Sequence, residues 1–275
     1  MIDKAPQSAQ ASPTPDWDTS SHENFFNYYE QQSQSPATLE RFRLTCDLLL
    51  RLLDSTQQAK TLDVLDVGCG AGTQSQFWLQ RGHRYRGLDI NEPLIRLARE
   101  RADRDHLNAT FDVGTATDLP LPDRSIDVCL LPELLEHVQD WRACVDEAVR
   151  VLRPGGLVYI NTSSKLCPRQ LEFKLPLYSW YPGPLKRYFE RRAVTDWPGV
   201  ANYAKYPAVN WFSYYGLRKY LRPAGFDCLD RFDIIDVAHK GPLPRAVVFA
   251  LRTFAPLNLL GHIATPYTLL VGRKK

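Results

Sequence analysis

The chain has 275 residues, of which 44% are hydrophobic and 24% are charged, and its formal net charge at pH 7 is +3. This composition supports a packed core and so excludes a wholly disordered chain. The length suits one α/β domain with an insertion or a tail better than two full domains. The small positive charge does not by itself indicate a nucleic-acid partner, and we expect none.

The first residues are polar and rich in proline and serine, and we interpret residues 1–22 as a disordered lead. The lead lacks the apolar stretch of a signal peptide, and the sequence has no apolar run of about 18 residues, which a spanning helix needs. The six cysteines include no C-x-x-C pair, which argues against a zinc or dithiol site. Reduced thiols favour a cytoplasmic location, with or without membrane association.

Helix and strand patterns alternate over residues 23–163, which we interpret as N-terminal helices followed by the main domain. A first amphipathic helix is predicted over 38–54. Strand and helix patterns then follow in turn, with strands over 61–67, 84–90, 109–114, 125–131 and 157–162 and helices over 73–82, 91–103 and 140–156. The strands are apolar without alternation and are therefore expected to be buried on both faces, as in a parallel, doubly wound α/β sheet.

The pattern changes after the fifth strand. Residues 164–212 are rich in Tyr, Trp, Pro and Arg without a clear period, and we interpret them as a cap inserted over the sheet edge. Residues 213–275 return to the core, with a helix, a turn and a strand over 214–235 and a final strand over 265–274. Between them lies a largely apolar segment, residues 243–263, which Pro256 interrupts.

A strand, a glycine-rich turn and a helix follow one another at VLDVGCGAGT, residues 64–73. Such a turn brings backbone N–H groups and a helix N-terminus close to a ligand. The glycines are spaced G-x-G-x-G, unlike the G-x-G-x-x-G of dinucleotide-binding folds, and no G-K-[ST] follows as in a P-loop. Asp89 ends the second strand about 20 residues further on, where a carboxylate can accept hydrogen bonds from a ribose diol. The ligand is therefore predicted to carry a ribose, and the pattern does not require a pyrophosphate.

Four segments in this order resemble the class I S-adenosylmethionine-dependent methyltransferases, in particular the type 11 and ubiquinone-pathway members. These segments are VLDVGCGAGT, GLDIN, VGTATDLPLPDRSIDVCLLPELLEHV and VLRPGGLVYI. The similarity covers roughly residues 60–163. The resemblance implies a seven-stranded, mainly parallel, Rossmann-like sheet with the cap after its fifth strand, and S-adenosyl-L-methionine as the cofactor.

The resemblance also implies roles for individual residues. Asp66 and the Gly68–Gly72 turn would face the methionine end of the cofactor, with backbone N–H groups as donors. Asp89 would bind the ribose hydroxyls, and Ile90 would pack on the adenine. Many relatives carry Asp where this chain has Thr115, so a hydroxyl would replace a carboxylate beside the adenine. The implied cofactor-binding residues are Asp66, Gly68, Cys69, Gly70, Gly72, Asp89, Ile90, Thr115, Ala116 and Pro132.

The segment PELLEHV supplies the candidate catalytic residues, Glu133 and His137. Methyl transfer needs a base only where the acceptor must lose a proton, as a hydroxyl does. If the turn is helical, Glu136 and His137 lie three and four residues beyond Glu133 on one face. The run resembles one that is linked to a divalent metal in ubiquinone-pathway O-methyltransferases, and it also occurs in relatives with no known metal. We assign no metal here, and the alternative for His137 is a brace for the cofactor loop.

Two features bear on the acceptor. The cap carries many aromatic residues, which suit either a ring-binding pocket or a small core of the cap itself. A basic cluster nearby, with Lys186, Arg187, Arg191 and Arg192, suits a phosphate or an anionic lipid surface. Residues 243–263 suit either a membrane interface or packing on the sheet.

These patterns predict a methyltransferase that acts on an oxygen of a small or lipid-linked acceptor, such as a quinone, lipid or glycan, near a membrane surface. One alternative is C- or N-methylation of a small metabolite. Another is a non-catalytic module that holds the cofactor or a lipid in the same fold. The expected partners are the substrate and, in the interfacial alternative, a membrane contacted peripherally. The sequence predicts no oligomeric state.

Overall fold

The computed structural model describes residues 32–53, 60–170, 172–201 and 208–275. The predicted disordered lead lies outside these ranges. The strands are β1 (Asp63–Val67), β2 (Arg84–Asp89), β3 (Thr110–Val113), β4 (Ile126–Pro132), β5 (Leu152–Ser163), β6 (Phe226–Asp230) and β7 (Tyr267–Lys274). The helices are α1 (Pro36–Leu52), α2 (Ser75–Leu79), α3 (Glu92–Arg104), α4 (Trp141–Val151), α5 (Gly183–Val194), α6 (Tyr214–Leu221), α7 (Arg231–Ile234), α8 (Pro242–Thr253) and α9 (Ala255–Ile263).

The seven strands form one sheet in the order β3-β2-β1-β4-β5-β7-β6. The pairs from β3 to β5 are all parallel, and β7 lies antiparallel between β5 and β6. The predicted fold class, a doubly wound and mainly parallel seven-stranded sheet, is therefore confirmed. The winding reverses between β1 and β4, so the carboxyl ends of these two strands border the crevice where ligands bind in such sheets.

Helices cover both faces of the sheet, which explains why its central strands are apolar without alternation. On one face, α4 and α6 pack against β4 and β5 through a core that includes Val145, Leu217 and Leu221. On the other face, α1, α2 and α3 pack through a second core that includes Leu49 and Trp78. Both cores meet at the sheet and hold the carboxyl ends of β1 to β5 in fixed positions.

The helices begin where the sequence provides a cap. The side chain of Asn91 accepts a hydrogen bond from the Leu94 N–H at the start of α3, and Asp140 does the same for Ala143 in α4. One boundary differs from the pattern. The strand predicted to continue through RFDII stops at Asp230, because Asp230 and Asp233 form a reciprocal capping box that starts the short helix α7.

The cap leaves the sheet at Ser164 and returns at Phe212, and these two residues form an isolated parallel bridge. Its aromatic residues largely pack on one another. Phe173 and Tyr178 are buried and stack with ring centroids 4.1 Å apart, and Trp211 packs edge-on to Tyr178. These side chains build a separate small core, which favours the packing alternative for them over a ring-binding pocket. Two further aromatics of the cap, Tyr203 and Tyr206, lie outside the described residues.

The apolar segment near the C-terminus forms α8 and α9, which meet at a bend of 105°. The chain turns at Phe254, directly before Ala255 and Pro256 begin α9. Among the described residues, no single helix is long and apolar enough to cross a membrane, and these two reach the required length and apolarity only when they are taken together.

Candidate functional site

The glycine turn after β1 adopts the backbone that its sequence predicts. Gly68, Gly70 and Gly72 have φ values of 76°, 52° and 69°, a left-handed region that side chains rarely tolerate. The turn also packs closely, since a Cβ on Gly72 would lie 2.6 Å from the Phe111 ring. One expectation is modified, because loop N–H groups already donate within the protein. Those of Gly68 and Cys69 donate to the Leu88 carbonyl.

Asp66, at the end of β1, is buried directly beneath this turn. Its Oδ2 accepts hydrogen bonds from Gln74 Nε2 at 3.1 Å and from the Tyr85 hydroxyl. Its Oδ1 is buried without a hydrogen-bond partner among the described residues. Burial raises the pKa of Asp66 to about 6, and the two hydrogen bonds oppose this rise. An unsatisfied buried acceptor of this kind is costly unless a ligand donor or a water completes it.

Asp89, at the end of β2, closes the turn from the other side. Its Oδ2 accepts from the Gly70 N–H and its Oδ1 from the Asn91 N–H, both at 2.9 Å. Each carboxylate oxygen has two lone pairs, so the contacts leave capacity for the hydroxyls of a ribose. Burial raises the pKa of Asp89, and the backbone hydrogen bonds oppose this rise. Ile90, the next residue, exposes 51% of its surface, as expected for a side chain that packs on a planar ring.

The end of β3 lies beside Asp89, because the Gly114 N–H donates to the Asp89 carbonyl at 3.0 Å. Thr115 is exposed here, and its hydroxyl lies 2.8 Å from that of Thr117. Ala116 is partly buried against the core. The structure thus brings Ile90 and Thr115 to one edge of the sheet, at the two sides of the predicted adenine position.

The turn after β4 is not helical, which corrects the spacing argument for the PELLEHV segment. Glu133 follows Pro132 with a left-handed φ of 52°, and its N–H donates to the Asn161 carbonyl of β5 at 2.7 Å. Its carboxylate pairs with Arg41 of α1 at 2.5 Å. Because Glu133 points towards α1, helical neighbours at three and four residues do not describe this group.

The next two residues of β5 each donate a side-chain hydrogen bond to a carboxylate. Thr162 donates to Glu136 at 2.7 Å, and Ser163 donates to Glu172 at 3.2 Å. Burial raises the pKa of Glu136 to about 7. Burial also raises the pKa of Glu172, and the charge of nearby His137 opposes this rise. Three acidic residues are therefore fixed to three consecutive residues of β5, and His137 lies near one of them, Glu172.

Within the described ranges, the structure has no group of three or more His, Cys, Asp or Glu side chains arranged to hold a metal ion. The acidic residues of this edge are instead occupied by Arg41, Thr162 and Ser163. The chemistry that these side chains can perform is proton transfer and attraction of positive charge.

Several residues that build the site belong to none of the sequence motifs described above. Tyr85 and Gln74 hold Asp66, and Arg101 braces the glycine turn through the Ala71 carbonyl and Thr73. For Arg101 the sequence offered a clue, because an arginine on the buried face of a helix is unusual. For Glu172 the sequence offered no clue, because the residue lies in the cap, which has no clear period.

Comparisons with known proteins indicate a methyltransferase domain. Residues 65–160 match a family model described as a methyltransferase domain. Similar proteins include the malonyl-[acyl-carrier protein] O-methyltransferase of Serratia marcescens, which is 33% identical over 41% of this chain and 42% of its own. The demethylmenaquinone methyltransferase of Tropheryma whipplei is 31% identical over 60% of this chain and 66% of its own. The ubiquinone biosynthesis O-methyltransferase of Coxiella burnetii is 29% identical over 47% of this chain and 53% of its own. The chain thus spans about two fifths to two thirds of the length of these relatives.

Solved structures support the same fold. The YcgJ protein of Bacillus subtilis superposes with a TM-score of 0.53 at 17% identity, over 86% of this chain and 99% of its own. An S-adenosylmethionine-dependent methyltransferase of Mesorhizobium loti reaches a TM-score of 0.50 at 21% identity, over 82% and 95%. At these identities the likeness concerns the fold alone.

The fold is that of an α/β protein of the methyltransferase type, with carboxylates at the ends of β1 and β2. Residues 65–160 match the methyltransferase domain and resemble the class I S-adenosylmethionine-dependent methyltransferases, and S-adenosyl-L-methionine is the cofactor of that family. The residues present fit this cofactor. The unsatisfied Asp66 Oδ1 suits its ammonium group, and Asp89 with exposed Ile90 suits its ribose and adenine.

Proposed function

We propose that this protein transfers a methyl group to an oxygen atom of a small or lipid-linked acceptor. The family assignment supports methyl transfer, and two of the three relatives described above are named as O-methyltransferases. The observation that carries the choice of oxygen is the group of His137, Glu136 and Glu172 at the carboxyl ends of β4 and β5. An acceptor hydroxyl must lose its proton during transfer, and this edge supplies groups that can take it.

The cofactor occupies the ends of β1 to β3 in this proposal. Asp66 accepts from the ammonium group, Asp89 binds the ribose hydroxyls, and Ile90 and Thr115 border the adenine. When bound, S-adenosylmethionine supplies an electrophilic methyl group on a positively charged sulfur. The remaining work of the protein is to orient the acceptor towards that methyl and to keep water away.

His137 is the proposed general base, and Glu172 is its partner. A carboxylate close to an imidazole stabilises the imidazolium that forms when the proton arrives. Glu136 lies deeper, and burial raises its pKa to about 7. Burial thus favours its neutral form, which limits negative charge beside an acceptor that becomes an oxyanion.

The acceptor class is proposed from the surroundings of this edge. The cap follows β5, contacts this edge through Glu172, and exposes Trp180, Tyr188 and Trp197. Lys186, half-buried above the ring of Trp211 at 4.6 Å, has its pKa lowered to about 8 by burial. Exposed aromatic side chains near a weakly held positive charge suit a quinone-like or lipid-linked acceptor better than a highly charged metabolite.

N-methylation is the second candidate, because Glu133, Glu136 and Glu172 place negative charge where a cationic amine would approach. A C-methyl acceptor or a non-catalytic module with this fold are outcomes of the test below. Each class of acceptor is offered separately with labelled methyl donor: phenols and quinols, carboxylic acids on acyl carriers, and amines. Methylation of oxygen acceptors supports the proposal, and methylation of amines alone assigns the second candidate.

Two variants test the role of the base. His137→Gln should lower turnover by about 10²–10⁴-fold, which is the usual contribution of general-base catalysis. Glu172→Gln should lower turnover by a smaller factor. Both should leave the affinity for S-adenosylhomocysteine unchanged. His239→Gln, at an exposed position, is the matched control. Loss of affinity with normal turnover in His137→Gln would instead make His137 a brace for the cofactor loop.

A further inference from the structure

The helix pair α8 and α9, residues 242–263, forms an exposed apolar surface that we call the apolar hairpin. Leu243, Phe249 and Leu260 expose 74%, 64% and 59% of their surfaces. Its exposed large hydrophobic residues are Leu243, Val247, Phe249, Phe254, Leu257, Leu259 and Leu260. An apolar cluster of this density on one element marks an interaction surface rather than ordinary scatter.

The apolar hairpin is firmly attached on its inner side. Asp230 of β6 accepts hydrogen bonds from Asn258 at 2.8 Å and from His262 at 3.1 Å. These contacts hold the pKa of Asp230 at about 2, against the effect of its burial. Arg252 donates to three backbone carbonyls, from Phe232 to Ile235. The outward residues therefore belong to a fixed surface, which presents them without an ordering cost.

Within the apolar hairpin and the chain that follows it, every charged side chain is basic. No Asp or Glu occurs from Val237 to the end of the chain. The same stretch contains the basic residues Lys240, Arg245 and Arg252. Next to it, Tyr215 of α6 donates a hydrogen bond to Asn258 of α9 at 2.7 Å. The same tyrosine lines an open cleft of about 470 Å³. The residues of this basic cleft are Tyr215, Arg218, Lys219, Arg222 and Pro223.

We infer that the apolar hairpin docks on an anionic phospholipid bilayer, with the basic cleft receiving lipid phosphates. The helices α8 and α9 are about 18 and 14 Å long at about 1.5 Å per residue. Neither reaches the hydrocarbon thickness of about 30 Å, and the 105° bend prevents one straight span. Both therefore lie in the interface, with their apolar side chains at the acyl boundary.

The charge pattern also decides against a second copy of the chain. A twofold dimer through this surface would place each positive surface against its own equivalent, with no acidic residue in 237–275 to compensate. An anionic bilayer instead provides both an apolar layer and phosphate charge. A docked bilayer would be the source of a lipid-linked acceptor, which deepens the proposed function. Only this link to the acceptor rests on the proposed function; the docking itself does not.

Vesicle flotation of the full chain tests the inference. The protein should bind vesicles that contain phosphatidylglycerol at least about tenfold better than vesicles of phosphatidylcholine alone, since each basic residue near the surface contributes about 1 kcal/mol. High salt should reduce the binding. The double variant Phe249→Glu/Leu260→Glu should lose it. Leu44→Glu, on α1 at a position 53% exposed, is the matched control and should bind normally.

A second pair of variants tests the basic cleft. Arg218→Gln/Arg222→Gln should weaken binding about tenfold or more, whereas Arg187→Gln/Arg191→Gln on the cap should not. Equal flotation of the wild type and Phe249→Glu/Leu260→Glu would overturn the inference. So would a dimer in solution that only this variant dissociates, because it would assign the surface to a second copy. Affinity for S-adenosylhomocysteine, measured alongside, separates a failure of docking from a failure of the proposed function.

Discussion

Replacing Gly72 by alanine tests the turn on which the cofactor site depends. Two costs arise at this position. Its φ of 69° is left-handed, which costs a side-chain-bearing residue about 1–2 kcal/mol. A Cβ would also lie 2.6 Å from the Phe111 ring and 3.0 Å from Ala98 Cβ. Overpacking of a filled core costs typically about 1–3 kcal/mol. The expected loss in free energy of unfolding is therefore about 2–5 kcal/mol.

Gly82 provides the matched control. Its φ is 79°, and a Cβ there would meet nothing within 4 Å. Gly82→Ala should therefore show the backbone cost alone, about 1–2 kcal/mol. Urea unfolding of both variants, with unchanged denaturant slope, measures the difference. That difference isolates the steric contribution of the Phe111 contact.

A rescue variant sharpens the test. Phe111→Leu removes the ring that blocks the Gly72 position, so the double variant Gly72→Ala/Phe111→Leu should be less destabilised than the sum of the two single variants. Gly72→Ala should also weaken binding of S-adenosylhomocysteine by calorimetry, whereas Gly82→Ala should not. Equal unfolding free energies for Gly72→Ala and Gly82→Ala would refute the claim that close packing requires a glycine at position 72.

Three further predictions concern carboxylates of the site. Asp89→Ala should weaken S-adenosylhomocysteine binding about 10–150-fold in calorimetry, since charged hydrogen bonds contribute about 1.5–3 kcal/mol; the same loss in exposed Asp105→Ala would contradict this. Because the folded pKa of Glu136 lies near 7 and its ordinary value is 4.5, stability should fall as pH rises through that window. Glu136→Gln should remove about 3 kcal/mol of this fall in urea titrations, and an unchanged pH dependence would disprove it. Glu133→Gly relieves the strain of a left-handed backbone and should raise the melting temperature. The lost ion pair with Arg41 is worth at most about 1 kcal/mol. A lower melting temperature would contradict backbone strain at Glu133.

The turn and the strand ends proposed to hold the cofactor were predictable because their determinants are local in sequence. The three glycines require left-handed backbone, and strand periodicity alone places Asp66 and Asp89 at neighbouring strand ends. The partners of these carboxylates were less accessible to pattern reasoning. Tyr85 lies 19 residues from Asp66 on the adjacent strand, and only the sheet register shows that their side chains meet.

The acceptor half was predicted less well, and for physical reasons. A left-handed φ at a glutamate is rare, so a helical turn after Pro132 was the more natural expectation than the observed one at Glu133. Glu172 approaches Ser163 across a bend of the aperiodic cap. The capping box of Asp230 and Asp233 was, by contrast, a readable signal. Sequence patterns specify such local features, whereas tertiary packing decides which distant side chains meet.

The position of each site residue inside or outside the matched region also determines which roles the relatives can support. The methyltransferase-domain match ends at residue 160, just before the three β5 residues that hold Glu133, Glu136 and Glu172. The residues proposed to bind the cofactor lie inside the matched region. The proposed base, His137, lies inside it as well, but its partner Glu172 lies beyond it in the cap. We therefore expect residues 164–212 and the C-terminal surface, which lie outside the matched region, to contribute to the choice of acceptor.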